Sequence, residues 1–357
     1  MATNQINTQS VQILLAKKYR DNYFQSILHR PGKGVTEEFS EDTNAGYIRV
    51  VRALPHGVVG RRLGADVNGG NFNGDNAYVS KSSEYELPLL YVYDGNFDIP
   101  EVQTDMLPLN IVEQEAKNIS GEVATQINAS TIAAQLVATL NADVKRTSKY
   151  VFKLPATVTE TSARDALLDA VALLDNGDEA NGIQSFPTDE REILARPEFF
   201  VHLFKGKNIV IGGSNYAQEM LARGVISPNT YSDNGTSYKG EFMDIPLYVA
   251  SKAIWNAAEG WINAGDKALT AGALNGVQAI VCAAMGTARG VATPESFKQI
   301  PCPIGPGIRI QPLVRWGVEC WLPDSVTVVA GNGFTSPATS SVTLSVLAPG
   351  SRAKATA

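Results

Sequence analysis

Apolar residues recur at steps of three and four over residues 109–141, which places them on one face of an α-helix. That face comprises Leu109, Val112, Ala116, Ile119, Val123, Ile127, Ile132, Leu136 and Leu140. Asn110 followed by Glu113 has the form of a capping box, and Pro108 stands just before it. A helix of this extent would be roughly 50 Å long at 1.5 Å per residue, far above the average globular helix. The pattern therefore predicts one long helix around which the chain is built.

Further along the chain the hydrophobic period changes from 3.6 to two. One side of this later segment consists of Ile308, Ile310, Pro312, Val314, Trp316, Val318, Cys320 and Leu322. Such alternation predicts one long strand over residues 308–322, roughly 50 Å in length at 3.3 Å per residue. Because this length equals that of the predicted helix, we expect the two to form a helix-on-sheet layer.

Two strand-like segments enclose a long stretch of turn-forming residues. Residues 47–52 are the predicted outward strand and residues 87–93 the predicted return strand. Between them, residues 64–76 are rich in glycine, asparagine and aspartate, which tolerate left-handed backbone angles. An isolated two-stranded ribbon is marginally stable in water. We therefore expect this hairpin to lie on something else.

Residues 151–300 have the mixed pattern of an α/β segment. Ser162 and Asp165 are predicted to cap a helix that Asn176-Gly177 ends. The other predicted elements are a strand at residues 191–195, a helix at 198–204, strands at 244–250 and 277–283, and a short Thr/Ser/Val segment at 340–347.

Residues 1–45 are a basic arm on an acidic chain. Lys17, Lys18, Arg20, Arg30 and Lys33 cluster there, whereas the 357-residue chain carries a net charge of −6. The surface as a whole is therefore unlike that of a nucleic-acid-binding protein. The arm is either a solvated basic face or a segment that meets a partner outside its own domain.

Motifs of common catalytic and metal sites are missing from the sequence: it has no P-loop, no HExxH and no GxSxG. His29, His56 and His202 are far apart. The three cysteines, at positions 282, 302 and 320, form no CxxC pair and are expected to be reduced, mostly buried thiols. We predict no catalytic, cofactor-binding or metal-binding residues, and hence no enzyme.

The N-terminal residues are polar and lack the pattern of a signal peptide. No apolar stretch reaches the roughly 20 residues that a membrane-spanning helix needs. We therefore expect the protein to fold in a cytoplasm and to have no membrane partner.

Several short phrases occur in an order that is known from one viral family. Phe186-Pro187, Arg191 and Pro197 resemble the family's proline–arginine–proline segment, and residues 240–251 its strand from glycine to serine. Residues 275–281 resemble the small-residue strand that follows, and residues 315–323 the aromatic–glycine–valine–proline ending of its last long strand. With the arm, the hairpin and the long helix before them, these phrases resemble the Hong Kong 97-like major capsid proteins of tailed bacteriophages.

The resemblance implies an α+β fold with named parts. These are an N-terminal arm (1–45), an extended hairpin called the E-loop (46–102), a P-domain with the long spine helix (103–155) and a long strand (301–330), a mixed α/β A-domain (156–300), and a C-terminal strand and tail (331–357).

The resemblance also implies a function. The chain would self-assemble as hexamers and pentamers into an icosahedral shell around the double-stranded DNA genome of a phage, without DNA sequence specificity. It would be made and assembled in the host cytoplasm, reside in the virion capsid, and work with a separate scaffolding protein and a portal.

We expect the hairpin to lie across the spine helix and late strand of a neighbouring subunit. The candidate contact residues are Arg61, Arg62 and Lys81 on the hairpin and Glu113, Glu115 and Glu122 on the helix. Two other functions stay open at this point: an encapsulin-type nanocompartment shell, which has the same fold, and a soluble α/β enzyme whose site is assembled from distant carboxylates.

Overall fold

The structure is a computed structural model, and it describes most of the region between residues 36 and 344. The described ranges are 36–40, 47–53, 82–93, 97–100, 109–145, 149–183, 185–186, 190–204, 236–243, 245–263, 273–283, 286–292, 298–301, 307–311, 314–334 and 343–344. The basic residues of the predicted arm lie outside them.

The described residues contain four α-helices, in chain order α1 (Leu109–Lys145), α2 (Glu160–Asn176), α3 (Pro197–Phe204) and α4 (Lys252–Trp261). Up to the end of α1 the strands are β1 (Thr36–Ser40), β2 (Tyr47–Ala53), β3 (Ser82–Pro88), β4 (Tyr91–Tyr93) and β5 (Phe97–Pro100). The next are β6 (Val151–Lys153), β7 (Arg191–Ala195), β8 (Thr236–Phe242), β9 (Ile245–Ala250), β10 (Ile262–Asn263) and β11 (Val277–Ala283). The last are β12 (Thr287–Ala292), β13 (Lys298–Pro301), β14 (Gly307–Gln311), β15 (Val314–Cys320), β16 (Val326–Ala330) and β17 (Thr343–Leu344).

The long helix is confirmed, and α1 extends four residues beyond the predicted end. Every residue from 127 to 136 is buried, so this part of the helix is enclosed on all sides. Hydroxyl groups in that stretch are satisfied within the helix: Ser130 and Thr131 both donate to the carbonyl oxygen of Ile127, each at 2.8 Å. A helix with polar residues can be a core helix here because its hydroxyl groups bond to its own backbone.

A six-stranded sheet in the order β6-β16-β11-β7-β9-β8 lies between two layers of helices. Successive residues of β11 alternate between the two faces: Ile280 joins the core of α1 and α4, whereas Val281 joins the core of α2 and α3. Burial on both faces explains why the strand is apolar almost without interruption. The predicted strands at 191–195 and 277–283 are confirmed, and the helix at 198–204 and the strand at 244–250 are confirmed to within one residue.

Helix α2 begins earlier than predicted. Its N-cap is Thr159, whose side-chain oxygen accepts from the backbone N–H of Ser162 at 3.2 Å, while the backbone N–H of Thr159 donates to the Ser162 hydroxyl at 2.9 Å. Ser162 is thus the third residue of the helix (N3) and the second member of the capping box, and Asp165 lies inside the helix. The predicted end is confirmed, since the N–H of Gly177, at a φ of 62°, donates to the carbonyl oxygen of Leu173.

The predicted late strand of residues 308–322 is found as two strands that end at Cys320, and residues 312–313 between them lie outside the described residues. Its first part is β14, which pairs with β13 and β5 in a three-stranded sheet. The second part is β15, which pairs with β12 and β4 in the four-stranded sheet β1-β12-β15-β4. The predicted helix-on-sheet contact is confirmed, since Ile310 of β14 and Val314, Trp316 and Val318 of β15 all belong to the core around α1.

The hairpin is confirmed in its outward strand and corrected in its return strand. Strand β2 pairs with β3 in antiparallel register from Tyr47 opposite Pro88 to Ala53 opposite Ser82. The return strand is therefore Ser82–Pro88 and not residues 87–93, because the chain leaves the hairpin at Pro88 and Tyr91–Tyr93 joins β15. Among the described residues, β2 and β3 form a sheet of two strands.

A close contact between Gly286 and Ser325 supplies a stability test for the end of the four-stranded sheet. A Cβ on Gly286 would overlap the side chain of Ser325, which is fully buried and donates to the carbonyl oxygen of Leu322 at 2.6 Å. The carbonyl oxygen of Gly286 accepts from the N–H of Trp321 at 3.0 Å. Both the Gly286 backbone and the Ser325 side chain are therefore held in place by hydrogen bonds.

We expect Gly286→Ala to lower the free energy of unfolding by about 1–3 kcal/mol, the usual cost of overpacking. Urea denaturation monitored by circular dichroism measures the change. Adding Ser325→Gly removes both side-chain atoms that the new methyl group would meet, so the double variant should recover part of the loss. A single variant as stable as the wild type would contradict the contact.

Candidate functional site

The two faces of the four-stranded sheet are covered by different parts of the chain. On one face, Val314, Trp316 and Val318 of β15 pack into the core around α1. On the other face lies the segment where the chain leaves the hairpin, residues 87–89, which we call the hairpin root. Leu87 and Leu89 of the root are 1% and 7% exposed and cluster with Ala288, Ala292 and the partly buried Trp321. The hairpin root is thus held by apolar contacts to its own subunit.

The sheet presents small residues to the hairpin root. In the antiparallel pairing of β12 with β15, Gly290 lies directly opposite Gly317. Ala288 and Ala292 lie two residues to either side of Gly290 and therefore point to the same face. We call these four residues the small-residue patch. Because none has a side chain larger than a methyl group, the backbone of the root can approach the sheet closely.

Gly317 is the point of closest approach. A Cβ placed on it would overlap the carbonyl oxygen of Pro88 and would lie 3.0 Å from the carbonyl carbon of Pro88 and 3.3 Å from the Cα of Leu89. All three neighbours are backbone atoms, which cannot rotate away as a side chain can. Position 317 therefore accepts only glycine without a shift of the chain.

Two short strands after the root fasten the same segment to the late part of the chain. Strand β4 pairs with β15, with Tyr91 opposite Trp316 and Tyr93 opposite Val314. Strand β5 pairs with β14, and there Arg309 forms a bidentate ion pair with Asp98 at 2.6 and 2.8 Å. A bidentate guanidinium–carboxylate pair fixes geometry as well as adding energy. The chain beyond the hairpin is thus fixed along both late strands.

Glu319 lies on the root-facing side of β15, two residues after Gly317. It is partly buried, and burial raises the pKa of its carboxyl group above the ordinary value of 4.5. A carboxyl group with a raised pKa in the folded protein favours folding when it is protonated. Its contribution is fully present below the ordinary pKa and is lost as the pH rises through the folded-state pKa.

We therefore expect Glu319→Gln to raise the thermal unfolding temperature at pH 7 and to leave it nearly unchanged below pH 4.5, where wild-type Glu319 is itself neutral. Scanning calorimetry of both proteins across this pH range measures the difference. A variant that is less stable than the wild type at pH 7 would mean that ionised Glu319 has a stabilising partner.

The structure describes only part of the predicted contact residues. Arg61, Arg62 and Lys81 lie outside the described residues, and so do the side chains of Glu113 and Glu115, although both stand in α1. Glu122 is exposed, and it follows other exposed residues of α1, namely Gln114, Lys117 and Asn118. From residue 123 onward the described side chains of α1 are buried or partly buried. The pairing of hairpin arginines with helix glutamates stays a prediction.

The hairpin root and the small-residue patch were not among the predicted site residues. Gly317 lies within the predicted late strand, but a glycine in a strand by itself indicates only a bulge or some close backbone approach. No feature of the sequence around Gly290 indicated that it lies in such a contact. The register that brings the two glycines together is tertiary information.

Reactive groups are few in the described part of the chain. No group of three or more His, Cys, Asp or Glu residues there is placed to hold a metal ion. Cys282 and Cys320 are free thiols, and burial raises the pKa of both, that of Cys320 to about 12. Thiols with such pKa values are poor nucleophiles at neutral pH. None of the helices, as far as they are described, is long and apolar enough to cross a membrane.

Comparison with known proteins gives matches in fold but not in sequence. No protein-family model matches the chain, and no curated protein sequence matches it. The capsid of Ralstonia phage GP4 matches with a TM-score of 0.51 and 8% identity, over 86% of this chain and 90% of that one. The mature capsid of bacteriophage PhiM1 matches with a TM-score of 0.47 and 14% identity, over 85% and 87%. A virus-like particle from Pyrococcus furiosus matches with a TM-score of 0.42 and 11% identity, over 88% and 97%.

At these identities the likeness establishes the fold. The chain has the α+β, Hong Kong 97-like fold of tailed-phage capsid subunits, as its sequence predicted.

Proposed function

We propose that this chain is the major capsid protein of a tailed phage, a structural subunit that self-assembles into the icosahedral shell around the double-stranded DNA genome. The observation that carries this proposal is the hairpin. Its two strands join no larger sheet among the described residues, yet its root is packed firmly against the subunit. A two-stranded ribbon that is marginally stable by itself and is packed only at its root needs a further surface, outside its own domain, to stabilise the rest.

A neighbouring copy of the same chain is the simplest source of that surface. Homo-oligomers of closed symmetry satisfy every copy with the same contact. The fold, shared with a phage capsid subunit over 86% of this chain, is compatible with such a shell. A structural role also agrees with the lack of catalytic motifs in the sequence.

The contact itself belongs to the proposal. Arg61, Arg62 and Lys81 of one subunit would face Glu113, Glu115 and Glu122 of the next. Glu122 lies in the exposed part of α1, where a neighbour can reach it. Exposed ion pairs contribute only about 0–1 kcal/mol each, so each contact would be reversible, and many together would hold the shell.

The partners and location follow from the same proposal. The shell would assemble in the host cytoplasm with a separate scaffolding protein and a portal, and would persist as the capsid of the virion. The acidic chain, with a net charge of −6, would limit adhesion to the packaged DNA, which it would enclose without sequence specificity.

Expression of the full chain, with size-exclusion chromatography and negative-stain electron microscopy, tests the proposal. We expect closed icosahedral particles, either from the chain alone or after co-expression with a scaffolding protein. A monomer or dimer under all conditions would favour the soluble enzyme instead. Particles that enclose a specific cargo enzyme, with no genome packaged, would favour the nanocompartment.

A further inference from the structure

We propose that Gly317, together with its cross-strand neighbour Gly290, is a positioning element that sets the direction of the hairpin and thereby decides whether subunits assemble. This inference rests on the proposed function, because it assigns a role in shell assembly to residues that are buried within one subunit. It concerns the small-residue patch under the hairpin root and not the surface that the hairpin would contact.

The first step is that the root cannot avoid a side chain at position 317. The atoms that a Cβ would meet belong to the backbone of Pro88 and Leu89. A proline at 88 also fixes its own φ angle, which limits how the root can rearrange. The carbonyl oxygen of Pro88 would have to move away by roughly 1.4 Å to reach van der Waals contact.

The second step is that the root, and not the sheet, has to move. Strand β15 is fixed on the face opposite the root, where Val314, Trp316 and Val318 pack into the core around α1. In addition, the indole N–H of Trp316 donates to the Ser130 hydroxyl of α1 at 3.1 Å. The hairpin root has a much smaller apolar cluster, formed with Ala288, Ala292 and Trp321. Because the root is held by fewer contacts than β15, a methyl group at position 317 would displace the root from the sheet.

The third step is that a small shift at the root becomes a large one along the hairpin. The root is pivoted where β4 joins β15, beginning at Tyr91 opposite Trp316. The ladder runs from Pro88 to Ser82, about 20 Å further at 3.3 Å per residue. A shift of roughly 1.4 Å close to the pivot would thus displace the Ser82 end by about 4 Å. Interfaces pack as tightly as protein interiors, so a displacement of this size removes the contact.

The test compares two glycine-to-alanine variants of the full chain. Gly317→Ala introduces the clash, whereas Gly260→Ala adds the same methyl group in α4, where nothing lies within 4 Å of the new Cβ. In each case the substitution by itself should favour the regular structure, because glycine is unfavourable in helices and strands. Any loss in Gly317→Ala is therefore attributable to the close contact.

We expect Gly317→Ala to keep the circular dichroism and the hydrogen-exchange protection of β11, to lose protection in residues 82–90, and to form particles with a yield reduced by about tenfold or more. Gly260→Ala should form particles like the wild type. Particles at wild-type yield from Gly317→Ala, or unchanged exchange in residues 82–90, would overturn the inference.

A second variant covers the case in which Gly317→Ala does not fold. Leu89→Ala loosens the root from the other side without a clash, and Leu89 belongs to the small cluster and not to the two large cores. It should remain folded, lose exchange protection in residues 82–90 and form no particles; wild-type assembly would again overturn the inference.

The two proposals fail in different ways. If the wild type forms no particles, the proposed function fails. Hydrogen exchange of residues 82–90, measured on the monomer, still shows whether Gly317 positions the root.

Discussion

Val314→Asp is expected to yield no folded protein. Val314 is fully buried in the core around α1 and pairs with Tyr93 in the ladder between β15 and β4. An aspartate there would be a buried charge without a partner, and breaking the pairing of a buried charge costs about 3–5 kcal/mol. Whole domains are stable by only roughly 5–15 kcal/mol. The loss of valine packing adds to this cost, so most or all of the stability disappears.

Solubility, circular dichroism and thermal unfolding measure this effect. A matched control is Val201→Asp, which makes the same exchange on α3 at a valine that is 54% exposed. Surface exchanges of this kind usually change stability by about 0.5 kcal/mol or less. If Val314→Asp were as soluble and as cooperative in unfolding as Val201→Asp, the inward face of β15 would be assigned incorrectly.

The long helix could be predicted because a single local signal repeats many times. Apolar residues at helical spacing recur from Leu109 to Leu140, and this spacing can be read without knowing what the helix packs against. The sequence did not reveal that residues 127–136 are buried on all sides. Ser130 and Thr131 look like solvent-facing residues, but their hydroxyl groups bond to the backbone of the preceding turn. Buried serine and threonine residues that bond to their own helix therefore cannot be distinguished from exposed ones by polarity alone.

The late strand shows where periodicity stops being informative. Alternation from Ile308 to Leu322 indicates extended chain, and both β14 and β15 are extended. It does not indicate which strand each half pairs with, and the halves belong to different sheets. Both halves pair with the chain just after the hairpin, through β5 and β4. The predicted helix-on-sheet layer nevertheless holds, because Ile310 of β14 and Val314 of β15 both belong to the core around α1.

The hairpin root could not be predicted for a related reason. Leu87 and Leu89 are apolar at a spacing of two, and so are Tyr91 and Tyr93, so the sequence indicated one return strand. The chain instead changes sheets between Pro88 and Tyr91. The Gly290–Gly317 pair that allows this change is separated by 27 positions in the sequence and meets only through strand register.

Deletion of residues 65–78, the central part of the hairpin, is expected to abolish shell formation and leave a folded subunit. The deleted segment lies outside the described residues, between β2 and β3, and contains much of the glycine- and asparagine-rich stretch. The β2–β3 ladder, the root and both large cores are retained. Under the proposed function, the variant loses surface that would contact a neighbour, so each of the many equivalent contacts in a shell is weakened at once.

Chromatography and electron microscopy would show monomers in place of particles, with the circular dichroism and unfolding temperature of the wild type. A second variant that replaces residues 65–78 by an equally long Gly/Ser segment controls for chain length. It should also fail to assemble, because the contact depends on side chains and not on the mere presence of a loop. Normal particles from the deletion would show that the hairpin tip has no role in assembly. Particles from the Gly/Ser variant alone would assign that role to the length of the hairpin, since a long enough ribbon would then suffice whatever its sequence.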